Sequence, residues 1–228
     1  MAEMIAGHEG VQIATTSRGH GPSLVFTHGW ANDRSVWTPI ADDLAGDHAV
    51  TTWDLRGHGE SATPQPGNYS RGHALGDMNA VVDGTNRPAV LVGHSLGGYL
   101  SLAYALEHPD EVSALVLIAS GPGFRKVEAR DEWNEAVVAS TKELGLPPGV
   151  EELSMHVDSM VIDRLTEITA PTLILLGERD RRFAAAAGLF QRDLDVRDTV
   201  IVPEQGHMVH VKASRECAGA IRSFVAGI

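Results

Sequence analysis

Short apolar runs alternate with longer amphipathic stretches along most of the chain. The runs are typical of buried strands and lie at 23–27, 48–53, 89–92, 113–118, 172–176 and 199–202. An alternating stretch at 11–16 predicts an edge strand. Helical spacing predicts helices at 35–45, 70–82, 128–144, 151–165, 184–194 and 209–225, and one more directly after Ser95.

The order of these elements predicts the fold class. Strands that alternate with helices are typical of an α/β fold, with a mostly parallel sheet flanked by helices. The alternation stops near Gly121, and only helical patterns occupy 122–169. An insertion of this length is too short to build its own core. We therefore expect an α/β core made by 1–121 and 170–228, with 122–169 as a short helical lid over the carboxyl edge of the sheet.

The expected lid consists of helices at 128–144 and 151–165, joined by a Gly/Pro turn at 145–149. Its apolar residues could simply attach it to the core or could line a binding site. The candidates for this apolar underside are Trp133, Met155, Val157, Met160 and Val161.

A serine occupies the corner between one buried strand and the next helix, in the sequence Gly93-His94-Ser95-Leu96-Gly97. A strand that turns directly into a helix crowds the backbone, so the positions two before and two after the corner must be small. The corner residue is pushed towards a strained conformation that exposes its side chain beside a helix N-terminus. This spacing predicts a nucleophile elbow. The structural alternative is a tight turn in which Ser95 caps the helix.

A serine nucleophile needs a base that accepts its proton and an acid that orients the base. Asp180 and His207 each follow a predicted strand, so both should reach the edge that carries Ser95. We assign Asp180 as the orienting acid and His207 as the general base. Glu178 is the rival acid, and His210, inside the last predicted helix, is the rival base.

The developing oxyanion needs two N–H donors. The backbone N–H groups of Leu96, directly after the nucleophile, and of Trp30, in the loop after an early strand, are the candidates. His28 and His58 lie in glycine-flanked turns, where we expect them to fix the loops by hydrogen bonds. We expect His94 to pack below the site.

Composition and charge limit the classes of binding partner that we expect. The chain has 228 residues and a net charge of −12, which argues against nucleic acid or an anionic membrane as a partner. No apolar run reaches the roughly 18 residues that a membrane span requires, and the first residues do not resemble a signal peptide, so we expect a cytoplasmic protein. The single cysteine, Cys217, excludes an intrachain disulfide.

The sequence contains no motif that indicates a cofactor. The spacing of potential ligands does not suggest a metal site, and the glycines after Gly93 lack the Lys-Ser/Thr of a phosphate loop. We therefore expect no cofactor and a small-molecule substrate. The sequence leaves the oligomeric state undetermined.

Several motifs together resemble the α/β-hydrolase superfamily, in its lidded group with a serine nucleophile. The motifs are His28-Gly29-Trp30, Asp54-Leu55-Arg56-Gly57-His58-Gly59-Glu60-Ser61, Gly93-His94-Ser95-Leu96-Gly97-Gly98, Pro171-Thr172-Leu173, Gly177-Glu178-Arg179-Asp180 and Gly206-His207. Dehalogenases and epoxide hydrolases of this superfamily place aspartate at the elbow, so the serine disfavours those activities.

Two features depart from that resemblance. The expected lid is shorter than the family's usual one, which implies a more open or shallower pocket. Arg181-Arg182 follows the acid where the family often has an apolar residue or proline. These cations could tune the site, attract an anionic substrate or belong to a solvated loop.

The resemblance and the residues together imply a serine hydrolase that cleaves a carboxylic ester, a thioester or a lactone through an acyl-enzyme on Ser95. Two alternatives remain open at this stage. The same site could perform C–C bond hydrolysis, perhydrolysis or a lyase step. Alternatively, the chain could be a ligand-binding protein derived from a hydrolase.

Overall fold

An eight-stranded sheet forms the centre of the structure, a computed structural model that describes residues 2–228. The strand order is β1-β2-β4-β3-β5-β6-β7-β8. The strands are β1 (Glu3–Ala6), β2 (Gln12–Arg18), β3 (Ser23–Thr27), β4 (Ala49–Trp53), β5 (Ala89–His94), β6 (Val112–Ile118), β7 (Thr172–Gly177) and β8 (Val196–Val202). The helices are α1 (Thr38–Leu44), α2 (Arg71–Asp83), α3 (Leu96–Glu107), α4 (Val127–Leu144), α5 (Met160–Asp163), α6 (Ala184–Asp193), α7 (Val209–Lys212) and α8 (Ser214–Val225).

The predicted mostly parallel sheet is confirmed. From β4 to β8 all neighbouring strands pair in parallel, whereas β1 with β2 and β2 with β4 are antiparallel. Every residue of β3, β5 and β7 is buried, which explains why these strands read as continuous apolar runs. Strand β1 was not predicted, because four mostly exposed residues at the sheet edge carry no hydrophobic period.

Helices flank the sheet, with α1 packed against α8 and α2 against α3. The predicted helix at 209–225 is divided into α7 and α8 at Ala213, whose φ of −130° and ψ of 50° are not helical. Within residues 2–228, no helix combines the length and the apolar character that crossing a bilayer would require.

The segment 122–169 contains one long helix, α4, but the second helix predicted at 151–165 is wrong. A 3₁₀ turn at Val150–Leu153, an irregular stretch and the single turn α5 take its place. Side chains of α4 hold this stretch open: Trp133 Nε1 donates to the Ser154 carbonyl at 2.8 Å, and Asn134 makes two hydrogen bonds to the backbone of His156. These bonds satisfy backbone groups that a helix would otherwise pair.

Because that helix does not form, part of the predicted apolar underside is also wrong. The side chain of Val157 is 76% exposed, and Met155 lies in a separate surface depression beside α4. Trp133 does line the cavity that also contains Ser95, and Val161 is buried in the core. The apolar residues at 151–165 that suggested a helix therefore lie in different environments and do not form one helical face.

Candidate active site

The strained corner predicted at Ser95 is present. Ser95 lies between β5 and α3 with φ of 51° and ψ of −114°, a region that residues other than glycine rarely adopt. Two hydrogen bonds hold the corner: the Ser95 N–H donates to the Ile118 carbonyl at 2.9 Å, and the Ser120 hydroxyl donates to the Ser95 carbonyl at 2.8 Å. Strand β6 and the residues just after it therefore stabilise the strained conformation of Ser95.

Glycines make this corner possible. A Cβ on Gly93 would collide with the backbone of Gly97, and a Cβ on Gly97 would collide with the Thr27 carbonyl. Gly29 approaches from the loop after β3, and a Cβ there would lie 2.6 Å from His94 Nδ1 and 3.2 Å from the Ser95 Cβ. The absence of a side chain at Gly29 thus brings its loop directly against the serine.

Asp180 and His207 are joined by a hydrogen bond of 2.9 Å between Asp180 Oδ2 and His207 Nδ1. Asp180 follows β7 and is buried, whereas the His207 side chain, in the loop after β8, is 37% exposed. The Phe183 ring stacks on the His207 ring with centroids 5.2 Å apart. Glu178, the rival acid, accepts a hydrogen bond from the Glu204 N–H instead, at 2.9 Å.

Nδ1 of His207 donates to a carboxylate, so in the neutral ring Nε2 carries the lone pair. Ser95 and His207 line the same cavity, and no hydrogen bond joins the serine hydroxyl to the ring. Such contacts are often loose before a substrate binds. The predicted nucleophile and the predicted base therefore line one cavity.

The two backbone N–H groups expected to bind an oxyanion are available. Neither Trp30 N nor Leu96 N donates a hydrogen bond to another group of residues 2–228, and both residues line the cavity that holds Ser95. Leu96 is the first residue of α3, where N–H groups have no partner inside the helix and the helix dipole favours negative charge.

A row of rings lies beneath His207. The rings contact one another in tilted pairs, with centroid distances of 4.7 Å for His94 and His207, 4.0 Å for His94 and His210, and 4.6 Å for Trp37 and His210. His94 Nε2 donates to the His207 carbonyl at 3.0 Å, which fixes the loop that carries His207. Burial lowers the pKa of His210 to about 3, and this fully buried residue is absent from the cavity lining. The geometry thus favours His207 over His210 as the base.

His28 and His58 fix loops, as the sequence predicted. His28 Nδ1 donates to the Gly29 carbonyl at 2.8 Å, and His28 Nε2 accepts from the Leu55 N–H at 3.0 Å. His58 Nδ1 donates to the Arg56 carbonyl at 3.1 Å. Burial lowers the pKa of His28 to about 3, so its ring remains neutral and keeps both hydrogen-bonding roles.

The cavity above Ser95 has a volume of about 800 Å³. Its walls are mainly apolar, and their aromatic members are Trp30, Tyr99, Phe124, Trp133 and Phe183. Arg182 also lines the cavity, with its guanidinium carbon 5.7 Å from the centre of the Trp133 ring. Of the two cations whose role the sequence left open, Arg182 therefore reaches the candidate site.

One group of possible metal ligands was not suggested by sequence spacing. His8, Glu9 and His73 have ligand atoms within 4.8 Å of one another, on the loop after β1 and the first turn of α2. The folded chain brings together residues some 65 positions apart, so no local motif could have revealed them. None of the three lines the cavity of Ser95.

Comparisons with known proteins identify relatives in sequence and in fold. A putative 2-succinyl-6-hydroxy-2,4-cyclohexadiene-1-carboxylate synthase of Bacillus subtilis is 26% identical, over 96% of this chain and 97% of that protein. A pimeloyl-[acyl-carrier protein] methyl ester esterase of Aeromonas hydrophila is 36% identical, but the match covers 54% of this chain and 46% of the esterase. An esterase of Exiguobacterium antarcticum has the same fold, with a TM-score of 0.86, 22% identity, and coverage of 99% of this chain and 100% of that one.

A family model provides the broadest assignment. The model of the alpha/beta hydrolase fold matches residues 22–144, which include β3 to β6, the loop of Trp30 and the corner at Ser95. The chain therefore belongs to the α/β hydrolase fold family.

Proposed function

We propose that the protein is a serine hydrolase that cleaves carboxylic esters, including thioesters or lactones, through an acyl-enzyme on Ser95. One observation carries this proposal: Ser95 and the Asp180-bound His207 line one cavity. The strained corner, the two free N–H groups and the named esterases among the relatives support it.

In the proposed mechanism, His207 Nε2 accepts the proton of the Ser95 hydroxyl while the serine oxygen attacks the ester carbonyl. The N–H groups of Trp30 and Leu96 bind the resulting oxyanion, an interaction worth roughly 100- to 1000-fold in rate per donor. Asp180 holds the imidazole in the productive tautomer and stabilises its protonated form.

Collapse of the tetrahedral intermediate breaks the bond to the leaving alcohol, which takes the proton from His207. The acyl group then remains on Ser95. A water molecule, deprotonated by His207, attacks this acyl-enzyme and releases the carboxylic acid, while the proton returns to the Ser95 oxygen. The cycle needs no cofactor.

We also propose that 122–169 acts as a short lid. Its residues Pro122, Gly123, Phe124, Trp133 and Ile162 line the cavity above the serine. An apolar cover of this kind excludes water and accommodates an apolar acyl or alcohol chain.

A second candidate function follows from the full-length relative. The Bacillus subtilis protein, which aligns with 96% of this chain, is named a putative synthase rather than a hydrolase. A lyase or C–C bond hydrolase could use His207 for proton transfer without an acyl-enzyme. Mass spectrometry during turnover distinguishes these reactions, because only the ester hydrolase accumulates an acyl adduct on Ser95.

The proposal is tested by Ser95→Ala, assayed with p-nitrophenyl butanoate. We expect kcat to fall at least about 10⁴-fold while the thermal transition stays sigmoidal, since only the nucleophile is removed. Ser223→Ala, at an exposed position of α8, is the matched control and should retain full activity. Undiminished turnover by Ser95→Ala would refute the proposal.

A further inference from the structure

His156 is a polar side chain in an otherwise aromatic part of the cavity. Its ring is surrounded by Tyr99, Phe124 and Trp133, with centroid distances of 4.5, 5.3 and 5.8 Å. The residue lines the same cavity as Ser95, and only 8% of it is exposed. An imidazole in this environment loses its hydrogen bonds to water and must find others.

The protein itself does not supply those hydrogen bonds. Within residues 2–228, neither ring nitrogen of His156 has a hydrogen-bond partner, and Nδ1 is buried without one. Nε2 is not among the buried unpaired atoms and so keeps some accessible surface, and the residue itself lines the cavity. Buried polar groups are nearly always paired, and an exception calls for an explanation.

The backbone of His156 is fixed from two sides, which argues against a ring left over in a loose loop. Asn134 on α4 accepts from the His156 N–H at 2.8 Å and donates to the His156 carbonyl at 3.0 Å. Two residues later, Asp158 forms an ion pair with Arg71 of α2 at 2.8 Å. The ring is therefore held in place before any ligand arrives.

The surroundings of the ring indicate which nitrogen carries the hydrogen. A Cβ on Gly123 would lie 3.0 Å from His156 Nδ1, so the Cα–H group of Gly123 lies close to this nitrogen. That weak donor suits a lone pair, and an unpaired buried N–H would be the costlier choice. Burial, with Arg71 nearby, lowers the pKa of His156 to about 4 and keeps the ring neutral. Nε2 then carries the hydrogen and is the donor that this cavity-lining residue can offer to a ligand.

We propose that His156 is a specificity-determining residue whose Nε2–H donates a hydrogen bond to an oxygen in the chain of the substrate, away from the scissile ester. This proposal rests on the proposed esterase function. The substrate class is an ester whose acyl or alcohol chain contains an ether, carbonyl or hydroxyl oxygen where it passes between Tyr99, Phe124 and Trp133. A purely hydrocarbon chain would leave the donor unpaired.

The test compares esters that differ by one atom. The first series is p-nitrophenyl octanoate and its analogues with oxygen in place of the methylene at C4, C5, C6 or C7. The second series is octyl acetate with the same replacements in the alcohol chain. Its hydrolysis is measured by pH-stat titration of the acid released. The measured quantity is kcat/KM of each analogue divided by that of its parent ester.

For at least one position we expect this ratio to be about tenfold higher in the wild type than in His156→Phe, the effect of one neutral hydrogen bond. His156→Gln, which retains an N–H donor, should recover part of the preference. If His156→Phe does not fold, His156→Met provides a second variant without a donor. His20→Phe, at an exposed position outside the cavity, is the matched control.

Ratios that are equal in wild type and His156→Phe at every position would overturn the inference about His156 and leave the esterase proposal intact. A merely structural role would lower the rates of parent and analogue together without changing their ratio. Wild-type protein that hydrolyses neither parent ester would instead contradict the proposed function, and with it this inference.

Discussion

Burial lowers the pKa of His28 and of His210 to about 3 and that of His156 to about 4, all well below the ordinary value of 6.5. The folded state therefore keeps these rings neutral, while the unfolded chain binds protons below pH 6.5. Because the folded pKa values are depressed, stability is complete above pH 6.5 and is lost as the pH falls from there towards 4. His94, whose pKa burial also lowers, acts in the same direction.

The magnitude follows from proton linkage. Between pH 7.5 and 5.5, a histidine that titrates only in the unfolded state changes the free energy of unfolding by about 1.4 kcal/mol. Three such residues give about 4 kcal/mol, a large part of the 5–15 kcal/mol that typically stabilises a domain. Carboxylates contribute little in this window, because their unfolded pKa values lie near 4.

Urea unfolding at half-unit steps between pH 7.5 and 5.5, followed by tryptophan fluorescence, measures this loss. His210→Leu removes one of these titrating groups and should reduce the loss by about 1.4 kcal/mol. His20→Leu, at an exposed position, is the matched control. A free energy of unfolding that stays constant over this range would refute the claim that these rings are buried and neutral.

Three further predictions concern other parts of the fold. Asp77→Leu removes the carboxylate that pairs with the buried Arg56 guanidinium and should cost about 3–5 kcal/mol in urea unfolding, whereas a double variant with Arg56→Met should regain most of it. Gly97→Ala forces a Cβ against the Thr27 carbonyl, so hydrolysis of p-nitrophenyl butanoate should be lost even where circular dichroism is preserved. Burial raises the pKa of the Cys217 thiol to about 12, so dithionitrobenzoate should label it only in urea, and rapid labelling of native protein would contradict that burial.

The sheet core was predictable because its signals are local. The buried strands β3, β5 and β7 appear as apolar runs, and the glycines on either side of Ser95 mark the corner within a stretch of five residues. Asp180 and His207 could be placed together because parallel strands end at one edge of a sheet, and Glu178 was the weaker acid because it lies nearer the strand. Their hydrogen bond, 27 residues apart in sequence, agrees with that topological argument.

What the sequence could not reveal depends on contacts between distant segments. The helix predicted at 151–165 does not form because Trp133 and Asn134, from another helix, bind its backbone. His156 has no sequence signal for the same reason, since its aromatic surroundings come from three separate segments. An apolar period alone cannot distinguish a helix from a strap held by side chains.

The most direct measurement on the central claim is labelling with a fluorophosphonate, in which the oxygen of an activated serine bonds to phosphorus and displaces fluoride. Peptide mass spectrometry of the labelled protein should find one phosphonyl adduct, on Ser95, and His207→Ala should slow its formation by at least about a hundredfold. Folded protein that gives no adduct, or an adduct on another serine, would contradict the account.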